Sequence, residues 1–263
     1  MTKIKESTTA SIKTTIPVIE PPGEEHELKM SLLDHLDELR IRLFRAALSL
    51  IIGVAIGIPM AGPLLKYLQE PYGDRFQALD PTNPVVSYFR VALLIGAIIT
   101  IPLTTYQVLM FVLPGLLPRE KRVLFMSLPA VTGLFLIGAL FSWLVLIPPS
   151  LNFLANFQSD LFVAQWTADG YLGFITALIF WMGVAFETPL IFFVLSLLGL
   201  VRAKSLVKNW RIAIVGTAVA AAFITPTVDP VNLFLVMGPL LTLYVISIFL
   251  VGLGNRINRT EPV

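Results

Sequence analysis

The chain has no cysteine, two histidines and few charges. Without cysteine there is no disulfide framework and no thiolate metal site. His26 and His35 both precede the first apolar run. No Ser–His pair can therefore lie within an apolar segment, which argues against an intramembrane serine protease. The chain also carries no H-E-x-x-H, no Walker A motif and no Gly-rich phosphate loop, so neither enzyme chemistry nor a cofactor is expected. Charged residues make up 14% of the 263, where soluble domains sit near ~25%. A net charge of +2, with the basic residues scattered, does not suit nucleic acid.

What is present in excess is apolar sequence, 56% of the chain. Residues 1–28 are rich in Thr, Ser, Lys, Glu and Pro and are expected to form a disordered cytoplasmic tail. They do not read as a cleavable signal peptide, because the first apolar run begins only near Leu43. Ser31 is a plausible N-cap for a helix in which Leu32, Leu36, Leu39 and Leu43 recur on one face. This predicts an amphipathic surface helix running into the first span. Six spans follow: Leu43–Gly62, Val86–Leu113, Val123–Ile147, Leu172–Leu200, Ile212–Thr225 and Val231–Leu253. The loop Pro63–Pro84 is expected to hold a short surface helix at Leu64, Leu65 and Leu68. The loop Pro148–Tyr171, with Phe153, Phe157, Phe162 and Trp166, is expected to pack on the membrane surface. Residues 29–255 thus form one six-span core, with 256–263 a short cytoplasmic tail.

Of the 19 Lys and Arg residues, 15 fall in 1–42, 114–122, 201–211 and the tail from 254. The opposite loops carry only Lys66 and Arg75. That asymmetry predicts both termini on the cytoplasmic side. The fifth span has 14 residues between Arg211 and Pro226, roughly 21 Å of helix against about 30 Å of hydrocarbon. Either the bilayer thins there or the helix end meets a protein-lined cavity. Pro102, Pro129, Pro189 and Pro239 predict bent helices, and an all-α architecture whose helices form a concave wall.

Glu187 is the acid well inside an apolar span. A carboxylate there is costly and by default marks function; the alternative is a packed, hydrogen-bonded acid. Glu38 and Arg42 form an i,i+4 pair that reads as a solvated helix face. Glu120 is a single acid in a basic connector. Phe111 reads as an interfacial aromatic, Arg90 as a snorkelling side chain, and Asp229 as a turn residue. A proton-coupled solute transporter using Glu187 is a competing class, but it would favour an internal repeat, and none is evident.

Several of these segments occur in one recognisable order. Met30-Ser31-Leu32-Leu33-Asp34-His35-Leu36-Asp37-Glu38-Leu39-Arg40 comes first. Tyr106 to Leu116, ending at Glu120-Lys121-Arg122, comes next. Phe186-Glu187-Thr188-Pro189 and Thr225-Pro226 before Asp229 complete the series. Over residues 30–253 the chain resembles TatC, the multispanning subunit of the twin-arginine translocase. The resemblance implies a receptor for twin-Arg signal peptides of folded cargo, driven by the proton-motive force. It implies TatA- and TatB-type single-span partners, an oligomeric complex in the lipid bilayer, and a plasma (inner) membrane or thylakoid location. By the same resemblance, Glu38 and Glu120 would bind the paired arginines, with Leu39, Arg40 and Phe111 shaping the site. Pro71, Glu187 and Asp229 match further functional positions. One departure is Leu233, where the family often has Gln. A span 6 partner for Glu187 is then missing, or is supplied by Asn232.

Overall fold

The computed structural model describes residues 32–73, 76–112, 118–161, 163–227 and 229–259, and their side chains except at 32–34, 112, 118–127 and 257–259. The described residues are almost all helical. Helix α1 covers Leu32–Gln69, α2 Asn83–Val112, α3 Pro118–Phe141, α4 Ile147–Asn156 and α5 Ala168–Leu197. Then come α6 at Ala203–Lys208, α7 at Trp210–Ile224 and α8 at Pro230–Arg259. The one β-type pairing among them is an isolated parallel bridge between Gln77 and Thr167. Helices are the economical solution for such apolar sequence, since each N–H and C=O finds its partner within the segment.

Five helical runs are long and apolar enough to cross a membrane: His35–Tyr72, Asn83–Phe111, Leu128–Asn156, Ala168–Leu197 and Pro230–Arg256. The remaining expected span, the fifth, is α7, with 15 residues, roughly 22 Å, which agrees with the short length read from sequence. Large apolar side chains such as Ile51, Phe89, Phe223, Phe234 and Phe249 are exposed, as expected of surfaces that meet lipid tails.

Three boundaries differ from the sequence expectation. The surface helix, the first span and the short helix of the first outer loop are one continuous α1, which passes through Pro59 and Pro63. Each proline removes one intrahelical bond, yet the surrounding apolar run keeps the helix intact. The third span does not end at Ile147. A π-helical segment, Ser142–Leu146, joins α3 to α4, and the helical run continues through Pro148 and Pro149 to Asn156, each proline lacking the N–H that an interior position would donate. The outer loop therefore begins only after Asn156. Helix α8 continues to Arg259, through residues read as tail. The expected N-cap Ser31, the tail 1–28 and Phe162 lie outside the described residues.

Helix α5 is central, packing against α2, α3, α7 and α8, while α1 packs mainly on α2. The core joins Leu172, Ile175, Leu178 and Met182 of α5 to Val91, Leu94 and Ile95 of α2, and to Ala221 and Val236 of α7 and α8. The α1–α2 crossing is backbone on backbone. A Cβ on Gly96 would lie 2.5 Å from Val54 N, and one on Gly53 would lie 2.6 Å from Gly96 O. Glycine at both positions is what lets the two helices touch.

Candidate functional site

The N-terminal turns of α1 and the C-terminal end of α2 come together through a ring stack. His35 and Phe111 lie 4.6 Å apart between centroids, with an interplanar angle of 12°. Glu38 is one turn further along α1. Its side chain and that of Arg42 are 18% and 16% exposed, so the pair is largely buried, not the solvated face read from sequence. Arg42 donates from Nε to Glu38 Oε1 at 2.8 Å, and its Nη2 reaches the same oxygen. Glu38 Oε2 is buried with no hydrogen-bond partner among the described residues. Leu39 and Arg40 are exposed beside it. Glu120 belongs to the first turn of α3, but its side chain lies outside the described residues.

Glu187 is buried in α5, 3% exposed. Its Oε2 accepts from Thr105 Oγ1 of α2 at 3.2 Å, and its Oε1 has no partner among the described residues. Sequence reasoning looked to span 6 for a partner; the hydroxyl comes from span 2 instead. Asn232 is engaged elsewhere. Its backbone N–H donates to Asp229 Oδ1 at 2.7 Å and its Nδ2 to Asp229 Oδ2 at 2.9 Å. Asp229 is thus the N-cap of α8. Burial pushes its carboxyl up, but the hydrogen bonds from Asn232 outweigh this and hold it below its ordinary value.

The opposite end of the molecule gathers different residues. Pro71 lies in a 3₁₀ turn after α1 and lines a pocket of about 410 Å³ with Tyr72, Asn152 and Trp166. Trp166 stacks on Tyr171, whose ring also meets Tyr72 and Phe76, so the second outer loop packs on the first. Arg90, read from sequence as a snorkelling side chain, is paired. It donates to the Asp169 carbonyl at 2.7 Å and pairs with its carboxylate at 2.9 Å. A Cβ on Gly173 would lie 2.7 Å from the guanidinium, so glycine there admits the pair. The structure thus brings Phe111 to His35, one turn before Glu38, leaves Leu39 and Arg40 on the exposed surface of α1, sets Glu187 apart with Thr105, and leaves Asp229 and Pro71 elsewhere. Thr105, His35 and Asp169 were missed. Only His35, one turn before Glu38, carried a sequence signal. No group of three or more His, Cys, Asp or Glu residues able to hold a metal occurs among the described residues.

Comparison with known proteins gives a consistent result. Residues 34–239 match the family model described as TatC, Sec-independent protein translocase protein. The Sec-independent protein translocase protein TatC of Synechocystis sp. is 37% identical over 219 residues, covering 83% of this chain and 86% of that protein. The chloroplastic TATC of Pisum sativum is 34% identical over 231 residues, covering 87% of this chain and 65% of the pea protein's length. A solved crystal structure of the twin arginine translocase receptor TatC superposes with a TM-score of 0.74 at 33% identity, covering 84% of this chain and all of that one. Sequence, fold and the order of the motifs agree, and this multi-helical membrane chain belongs to the TatC family of Sec-independent protein translocase proteins.

Proposed function

We propose that the chain is the signal-peptide receptor and core subunit of a twin-arginine translocase, without enzymatic activity of its own. It works with TatA- and TatB-type single-span subunits, drawing on the proton-motive force. It crosses the membrane six times, with α7 as a short fifth span and both termini cytoplasmic. The Lys and Arg asymmetry and the even number of crossings support that orientation. Family membership supports the translocase role.

The observation that carries the receptor reading is the junction of α1 and α2. The His35–Phe111 stack ties the helix bearing Glu38 to the end of α2, from which the chain leads within ten residues to Glu120. Glu38 keeps one buried carboxylate oxygen without a partner among the described residues. A guanidinium is always charged and presents a planar fork of donors, so two acids at one rim suit two arginines. Leu39, Arg40 and Phe111 shape that rim. The apolar part of the signal peptide lies along the concave wall toward Glu187. Pro71 orders the first outer loop.

The test is crosslinking of a photoreactive twin-Arg signal peptide to membranes holding wild type or Glu38→Ala plus Glu120→Ala. Loss of the adduct in the double variant is expected. Equal adducts in both would refute the receptor assignment.

A further inference from the structure

The Glu38–Arg42 contact is one-sided. A closed fork would place the two guanidinium nitrogens on two carboxylate oxygens. Here Nε and Nη2 both converge on Oε1. Oε2 is left buried with no partner among the described residues. A buried carboxylate oxygen without a donor is expensive, and the neighbouring charge reduces that cost without satisfying the lone pairs. Both side chains are more than four-fifths covered, so neither is free to swing as a surface pair would. The next basic side chain, Arg40, is two residues from both Glu38 and Arg42 and exposed; residues two apart do not share a helix face.

We propose that Arg42 is a positioning residue of the receptor site: it fixes the Glu38 carboxylate through Oε1 so that Oε2 is presented to one guanidinium of the signal peptide. This deepens the receptor reading and rests on it. The incoming arginine adds to the pair and does not displace Arg42. One carboxylate then sits between two guanidinium groups, one built in and one supplied by cargo. A lysine ammonium entering the same place delivers charge but no planar fork. It therefore depends less on how the carboxylate plane is oriented. Discrimination between arginine and lysine becomes a property of Arg42 as well as of Glu38.

The experiment titrates fluorescent twin-Arg and twin-Lys signal peptides onto the full chain in lipid nanodiscs. Wild type, Glu38→Gln, Arg42→Gln, Arg42→Lys and the double variant Glu38→Gln plus Arg42→Gln are compared. Arg42→Gln is expected to weaken twin-Arg binding about tenfold, equivalent to one good charge-assisted hydrogen bond, while twin-Lys binding changes about threefold or less. Arg42→Lys, which keeps the charge and the stem, should recover part of the affinity but not the discrimination. The double variant should bind no worse than Glu38→Gln alone, because both changes remove one unit. A protein merely loosened by the substitution would lose both peptides alike, and that outcome overturns the proposal. Tighter twin-Arg binding by Arg42→Gln would make Arg42 a competitor for Glu38 and also overturns it. Unchanged binding by Glu38→Gln removes the receptor reading itself. Weakened binding by Glu38→Gln with unchanged binding by Arg42→Gln removes only the role of Arg42.

Discussion

Adding one methyl group at Gly96 should part α1 from α2 and be felt at the proposed receptor rim. In Gly96→Ala the new Cβ would stand 2.5 Å from Val54 N and 2.8 Å from both Gly53 C and Val54 Cα. Carbon atoms settle at ~3.5–4.0 Å, so the helices must separate by about 1 Å. All three contacts are backbone, and no side chain can swing aside. The expected cost is that of an overpacked core, about 1–3 kcal/mol, and it is reinforced by lost contact along the crossing. Gly133→Ala and Gly216→Ala are the controls. Their Cβ atoms meet nothing within 4 Å, so alanine there should be neutral or stabilising by up to ~1 kcal/mol, because it limits the unfolded chain. The assay is thermal unfolding of detergent-purified protein, with twin-Arg peptide affinity measured alongside. Gly96 lies 15 residues before Phe111, and Gly53 lies 15 residues after Glu38, each about 22 Å of helix. A forced gap at the crossing should therefore disturb the His35–Phe111 stack and lower affinity as well as the melting temperature. If Gly96→Ala melts with wild type and binds equally well, the close backbone crossing is not a determinant of the fold.

Further outcomes are expected elsewhere. Thr105→Val removes the hydroxyl donor of Glu187 and should lower stability by about 1–3 kcal/mol; combined with Glu187→Leu the loss should be less than the sum of the singles, which a double-mutant cycle of melting curves will read. His35→Ala should weaken twin-Arg peptide binding while His35→Phe preserves it, since Phe keeps a stacked ring on Phe111; equal loss in both variants would assign His35 a role other than stacking. Asp229→Ala should cost about 1 kcal/mol through the lost cap of α8, seen in the unfolding midpoint. The folded Asp229 carboxyl titrates below its ordinary value of 3.8, so its contribution is full above that pH and is lost as pH falls through the depressed value; an acid melting series of wild type against Asp229→Ala should converge there.

The apolar spans were legible because lipid leaves a chain few choices: about twenty apolar residues must be a helix, and the basic connectors punctuate them. The shortness of α7 was readable for the same reason, from Arg211 and Pro226 alone. Continuity was not. Pro59 and Pro63 look like a stop, but in an apolar run the neighbouring backbone bonds hold the helix through them, and α1 proceeds to Gln69. Nor could the π-helical segment at Ser142–Leu146 be seen, since one extra residue in a turn leaves composition unchanged. The polar pairs were the hardest. Thr105 and Glu187 are 82 residues apart and Arg90 and Asp169 are 79 apart, so neither pairing exists until the helices pack. Glu38 was picked out through its motif and not through its pattern, which resembles any solvated helix face. Its burial belongs to tertiary structure, and the one-sided geometry of its local pair with Arg42 is set by side-chain conformation that spacing alone does not show.

The unbroken α1 sets the height at which cargo is met. Thirty-eight residues make a rod of about 57 Å, whereas headgroups and tails together occupy about 40–45 Å. If its outer end is held at the lipid surface by the aromatic rings around Tyr72, and the chain has the orientation proposed above, the first turns stand clear of the bilayer on the cytoplasmic side, like a mast above a deck. A targeting sequence would then be inspected in water, before any part of it is asked to enter the lipid.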